Sequence, residues 1–208
     1  MLTMFCALLP AGGPVAADQP VRIVALGDSL TAGYGLAAQA AFPVKLAVAL
    51  KARGIAATIT NAGVSGDTAS SGLSRLDWSV PEGTEAVILE LGANDALRGM
   101  NPNVTKAALD AILKKLNDRH IAVLFAGMRA PPNMGPDYVR AFNAIFPALA
   151  ATHAVVFYPF FLDGIVGDAN FNLIDGIHPN PAGVDIIVAR ILPQVEKLIA
   201  RVRTVRGS

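Results

Sequence analysis

The stretch from Ile23 to Gly35 reads IVALGDSLTAGYG. It begins as an apolar, β-branched run and breaks at Gly27-Asp28-Ser29 into small and polar residues. A short apolar run bounded in this way reads as a buried strand that ends in a turn. Ser29, just past that strand, has two readings. It can cap the following helix by accepting a backbone N–H bond, or it can be a nucleophile presented at a strand end. Local chemistry supports both, so the rest of the chain must separate them.

Outward from this stretch, strand-like apolar runs recur at Val21 to Leu26, Ala57 to Asn61, Ala86 to Leu91, Ile121 to Ala126 and Ala154 to Tyr158. Helical spacing lies between them. Phe42, Leu46, Ala49 and Leu50 line one face, and Val104, Ala108, Ile112 and Leu116 line another. The last segment is the clearest helix, with Asn180 as cap, Pro181 at the first position and a stripe of Val184, Ile187, Val188, Ile191, Val195, Leu198, Ile199 and Val202. Pro193 predicts a kink in it. Strands alternating with helices predict an α/β fold, a parallel sheet with helices on both faces. The 208 residues contain no repeat, linker or low-complexity tract, so residues 18–208 are expected to form one domain.

A 53% hydrophobic and 16% charged composition excludes a disordered chain and suits a sheet buried on both faces. Net charge is +1, and the only basic grouping is the spaced Arg201, Arg203 and Arg206, so no nucleic-acid partner is expected. The opening MLTMFCALLPAGGPVAADQP has an apolar run and then small residues ending at Ala17, which predicts a signal peptide over residues 1–17 and a periplasmic or secreted protein. No lysine or arginine precedes that run. The single cysteine, Cys6, falls in this leader, so the mature chain is expected to have neither a disulfide nor thiol chemistry. Ala141 to Leu162 also lacks charge, but Asn143, Pro147, His153 and Pro159 interrupt it. It reads as a helix followed by a buried strand, and no membrane span is expected in the mature chain.

Sheets of this kind bind ligands at the carboxyl ends of their strands. The residues there are Gly27-Asp28-Ser29, Ala62 to Asp67, Gly92 to Asp95 and Met128 to Gly135. A serine nucleophile needs a base, usually histidine, and a group to orient it. Of three histidines, His120 and His153 stand at or before strand starts, which puts them at the opposite edge. His178 remains, in LIDGIHPNPAG, with Asp175 three residues before it and Gly176 permitting a tight turn. Pro179 keeps His178 extended outside the final helix. The same loop also reads as a plain turn and helix start. The backbone N–H groups of Ser29 and Gly66 and the side-chain amide of Asn94 can serve as oxyanion donors, although each position also reads as an ordinary turn or cap.

Taken together, GDSLTAGYG, NAGVSGDT, LGANDALRG and DGIHPN resemble the four blocks of the SGNH, or GDSL-type, hydrolases. The likeness spans almost all of the chain after the leader and is nearest to the periplasmic arylesterase, acyl-thioesterase and lysophospholipase branch. It implies a flavodoxin-like α/β/α sandwich with about five parallel strands in the order 2-1-3-4-5, and neither cofactor nor metal. Carried over by position, it implies Ser29 as nucleophile, His178 as base, Asp175 as its orienter, and Ser29, Gly66 and Asn94 as the oxyanion hole. Asp28, Asp67 and Asp95 read as caps and loop-orienting groups. Ala93 stands where many relatives have a second glycine, which stiffens the Asn94 loop. The serine is not in a G-x-S-x-G elbow, which argues against the α/β-hydrolase fold.

The expected activity is hydrolysis of aryl or short-to-medium acyl esters, thioesters or lysophospholipids through an acyl-serine, on a small ester or lipid-like substrate. Met128, Phe160 and Phe161 with the loops Ala96 to Met100 and Arg129 to Gly135 are candidates to floor an acyl groove, with core packing the alternative for at least half of these side chains. A carbohydrate acetyl esterase of the same superfamily is a second reading, weakened by a single tryptophan, Trp78. A non-catalytic or Mg²⁺-dependent phosphate-binding domain is a third, on Asp28, Asp67 and Asp95, and no P-loop lysine supports it. A histidine base predicts activity that rises as an imidazole of ordinary pKa, about 6.5, loses its proton.

Overall fold

In the computed structural model residues 19–207 are described, and the expected leader with Cys6 lies outside them. The strands are β1 (Val21–Gly27), β2 (Ala57–Gly63), β3 (Ala86–Glu90), β4 (Ala122–Ala126) and β5 (Val156–Tyr158). Every position of β3, and all of β1 except Arg22, is buried. That is the pattern of strands covered on both faces, and it accounts for their largely apolar runs. The sheet is parallel, in the order β2-β1-β3-β4-β5. This is the predicted order. β1 and β2 run on through Gly27 and Gly63, past the expected ends, because a glycine lets a neighbouring segment close in. A Cβ on Gly63 would lie 2.2 Å from the backbone nitrogen of Ala32.

Helices α1 (Ser29–Ala32) and α2 (Phe42–Ala52) follow β1, and α3 (Ala69–Ser74) and α4 (Leu76–Ser79) follow β2. Then α5 (Ala93–Leu97) and α6 (Pro102–Asp118) follow β3, α7 (Pro136–Asn143) and α8 (Ile145–Thr152) follow β4, and α9 (Pro181–Arg206) comes last. From β1 the chain moves one way to β2 and later the other way through β3, β4 and β5. Right-handed crossovers therefore put α2 on one face and α6 and α8 on the other. α9 returns to pack on α2 and on β1, β3, β4 and β5.

The predicted apolar stripes are buried along α2, where Ala49 is only half-buried, and along α9. Asn180 caps α9 by accepting from the Gly183 amide at 3.0 Å, Pro181 is its first residue, and the helix runs unbroken through Pro193. On α6 the expectation fails at Val104, which is 47% exposed, while Thr105 takes the buried place. The reason is a hydrogen bond. The Thr105 hydroxyl donates to Asp95 Oδ1 at 2.9 Å, and this satisfied polar side chain fills a position that hydropathy assigned to valine. The uncharged stretch from residue 141 spans the end of α7, α8, β5 and the turn after it, and among the described residues no helix is long and apolar enough to cross a membrane.

The strand order reverses direction between β1 and β3, and the crevice at such a switch point is where doubly wound sheets place their ligands. Gly27 and Glu90 are register partners there. The residues that follow them are Asp28-Ser29 and Gly92 to Asp95.

Candidate active site

Ser29 opens α1 rather than capping it. The cap is Asp28, whose Oδ1 accepts from the Leu30 amide at 3.0 Å. The capping duty falls one residue earlier than the opening stretch suggested. The Ser29 hydroxyl is left for another partner, His178 Nε2 at 2.9 Å.

His178 reaches β1 from the loop before α9. Its Nδ1 lies 2.7 Å from Asp175 Oδ2. The other carboxylate oxygen accepts from the backbone amides of Ile177 at 2.9 Å and His178 at 3.0 Å. Gly176, at φ +68°, provides the left-handed turn that folds the carboxylate back under the ring. The His178 amide first, and the Ile177 amide next, hold the Asp175 carboxyl down to about 2. An ionised carboxylate only accepts, so the imidazole proton sits on Nδ1, and Nε2 then accepts from the serine hydroxyl. The Tyr34 ring, with its centroid 4.6 Å from that of His178 and tilted by 38°, covers one side of the imidazole.

Asn94 ties the first three strand ends together. Its Nδ2 donates to Asp28 Oδ2 at 3.1 Å and to the Asp67 carbonyl at 3.0 Å. One bond thus reaches the residue before Ser29, and the other reaches the residue after Gly66. Asn94 lies within α5 and not in a loop as expected, because Gly92 at φ +115° turns the chain directly from β3 into a helical turn. Gly66 is also left-handed, at φ +87°, and its carbonyl accepts from Arg98 Nη2 at 2.9 Å. Among the described residues, the backbone N–H groups of Ser29 and Gly66 meet no protein acceptor.

The other two histidines lie apart from this cluster. His153 Nε2 meets Asp110 on α6 at 2.8 Å, and His120 closes the turn before β4 with φ +57°.

The three aspartates have structural partners. Asp28 caps α1, Asp67 pairs with Arg75, and Asp95 accepts from the Ala69 amide and the Thr105 hydroxyl. With its oxygens engaged in this way, the set is a poor fit for Mg²⁺. Burial first raises the Asp28 carboxyl to about 6, against the bonds from Leu30 and Asn94 that lower it. Of the proposed groove residues, Met128 and Phe161 are core, at 3% and 0% exposure. Phe160 is half-buried, with the Arg129 guanidinium 4.8 Å above its ring.

Sequence reasoning missed Arg75, Thr31, Glu90 and Tyr34. Buried Arg75 donates to Asp67, to Ser79 Oγ at 2.9 Å and to the Gly27 carbonyl at 2.9 Å, bracing the glycine loop against the end of β1. A charged residue closing an otherwise apolar strand was the available signal for Glu90. For Arg75 there was none.

Residues 25–186 match the GDSL-like Lipase/Acylhydrolase family. The chain is 36% identical to the "Arylesterase" of Vibrio mimicus over 167 residues, covering 80% of this chain and 84% of that one. It is 35% identical to the "Thioesterase 1/protease 1/lysophospholipase L1" of Escherichia coli (strain K12) over 178 residues, covering 85% and 84%. The crystal structure of TesA superposes with a TM-score of 0.81 at 34% identity, covering 85% of this chain and 99% of that one. With the matched region running from β1 into α9, the chain belongs to the GDSL-like Lipase/Acylhydrolase family.

Proposed function

We propose that the chain hydrolyses aryl and short-to-medium acyl esters, thioesters or lysophospholipids through an acyl-Ser29 intermediate. The observation that carries this reading is the unbroken line from Ser29 Oγ through His178 to Asp175, with contacts of 2.9 and 2.7 Å, at the β1/β3 switch point. As Oγ attacks the carbonyl carbon, His178 Nε2 takes the hydroxyl proton, and Asp175 stabilises the imidazolium and keeps its orientation. The oxygen that becomes anionic is received by the free N–H groups of Ser29 and Gly66. Asn94, oriented by Asp28, turns one N–H from the Asp67 carbonyl toward the same oxygen. Collapse returns the proton from His178 to the leaving alcohol or thiol. Water then repeats the sequence on the acyl-serine.

The arylesterase and thioesterase/lysophospholipase relatives support this substrate range. Stoichiometric labelling by a nitrophenyl phosphonate, located by mass spectrometry, is expected on Ser29, and Ser29→Ala is expected to abolish both labelling and ester hydrolysis. Full activity in Ser29→Ala refutes the reading. With Leu97 46% exposed and Phe160 half-buried beyond the strand ends, a series of nitrophenyl esters is expected to show a chain-length preference, and a flat series argues against an acyl groove. We also infer export to the periplasm or medium, supported by the leader-like composition of residues 1–17. N-terminal sequencing should find mature chain starting at Asp18, and intact chain confined to the cytoplasm overturns this.

A further inference from the structure

The turn that carries Ser29 rests on an acid that the chemistry above leaves unused. Glu90 closes β3 opposite Gly27 and is fully buried. Its Oε2 accepts from the Thr31 hydroxyl at 2.7 Å and lies 3.4 Å from the Asp28 amide, and the Thr31 amide also acts on the carboxyl, so its donors bracket Ser29 in sequence. Gly27 provides the space. A Cβ there would come within 2.6 Å of Glu90 Oε2 and 2.1 Å of Thr31 Oγ1. The second oxygen, Oε1, is buried and has no hydrogen-bond partner among the described residues.

We propose that Glu90 is a positioning residue for the hydrolysis, acting through Thr31 and Asp28 to hold the Ser29 turn in place beside the Asn94 helix. It does so as a neutral acid. The inference rests on Ser29 being the nucleophile. An ionised carboxylate offers about four acceptor sites, yet the bonds from the Thr31 hydroxyl and the Asp28 amide reach one oxygen and the other is bare among the described residues. A buried charge so poorly solvated is costly, and the proton removes it. The charged groups around the turn leave Glu90 uncompensated. The ionisable group that acts on it is another acid, Asp28, while Arg75 is committed to Asp67, Ser79 and the Gly27 carbonyl, Asp95 to Ala69 and Thr105, and His178 to Asp175 and Ser29. Burial, then the adjacent Asp28, pushes the Glu90 carboxyl well above the usual range. The proton resides on Glu90, and the single charge of the pair stays on Asp28, where it orients the Asn94 amide.

The test compares Glu90→Gln, Glu90→Ala and Thr31→Val in steady-state nitrophenyl ester hydrolysis, the pH profile of kcat/KM, and the rate of phosphonate labelling. Glu90→Gln is expected to keep kcat within about threefold and to leave the acid limb of the profile in place, because no charge is removed. Glu90→Ala and Thr31→Val are expected to lower kcat about 10- to 100-fold with KM within about twofold, and labelling should slow in step, since small misplacements of a reacting group act on the chemical step. A Glu90→Gln kcat as low as that of Glu90→Ala, or a displaced acid limb, overturns the neutral acid. Wild-type kcat in folded Glu90→Ala or in Thr31→Val, or a loss carried by KM alone, overturns the positioning role. Should Glu90→Ala not fold, Thr31→Val decides. Persisting activity in Ser29→Ala is a separate result that removes the nucleophile assignment itself.

Discussion

Asp28→Asn is expected to gain stability relative to the wild type as pH rises from acid to neutral. Asp28 has no exposed surface, and its burial moves the carboxyl from 3.8 up to about 6. In the unfolded chain Asp28 loses its proton near 3.8, whereas in the folded chain it keeps it until about 6. Between these values the native state binds more protons. The stability Asp28 contributes is therefore fully present below about pH 3.8 and is lost as pH rises through about 6. At about 1.36 kcal/mol per pH unit, the penalty at neutral pH approaches 3 kcal/mol, and about 2 to 2.5 kcal/mol of it accrues between pH 4 and 7. Asparagine can still cap α1 through its carbonyl oxygen. It loses the acceptor for Asn94 Nδ2, at a cost of roughly 1 kcal/mol that does not depend on pH. Urea unfolding of both proteins at pH 4 and pH 7 removes that constant by subtraction. The stability difference, variant minus wild type, should rise by about 2 to 2.5 kcal/mol between the two pH values. The variant should also lose kcat, because the Asn94 amide has lost one of its two anchors. A pH-independent difference, or one that falls toward neutral pH, refutes the reasoning.

Asn94→Ala removes a side-chain donor and should lower kcat by about 100- to 1,000-fold, and an unchanged kcat in a nitrophenyl ester assay rules it out as an oxyanion donor. Asp175 is held ionised down to about 2, so the acid limb of the wild-type rate profile should contain no Asp175 titration above about pH 4. Asp175→Asn should drop kcat by up to about 10⁴-fold by letting the imidazole take the wrong tautomer, and near-normal turnover contradicts this. Arg75→Met leaves the nearly buried Asp67 carboxylate without its partner and should destabilise the fold by about 3–5 kcal/mol, read as a lower midpoint in chemical denaturation. An unchanged midpoint shows the pair to be dispensable.

Much of this architecture was legible in the sequence, and for identifiable reasons. Parallel strands buried on both faces are mostly apolar, so β1, β3 and β4 stand out as short apolar runs followed by small residues. Helix α9 announces itself through Asn180, Pro181 and a stripe of 3.6-residue period. Less legible were places where a specific bond outranks hydropathy. Thr105 displaces Val104 from the core because Asp95 is there to accept from it. Asp28 takes over the capping that Ser29 was equally suited to provide.

What the sequence determined alone is therefore the alternation of strand and helix and the short list of groups able to do chemistry at the strand ends. Periodicity and residue type are local properties, and they carry that much. The tertiary structure decided which groups meet. Ser29 and His178 stand 2.9 Å apart across a separation of 149 residues, and Glu90 lies beneath Thr31 across 59. No local pattern encodes such contacts. They follow from the reversal of strand order between β1 and β3, which gathers distant loops at one edge and buries two carboxyl groups where neither can be fully solvated.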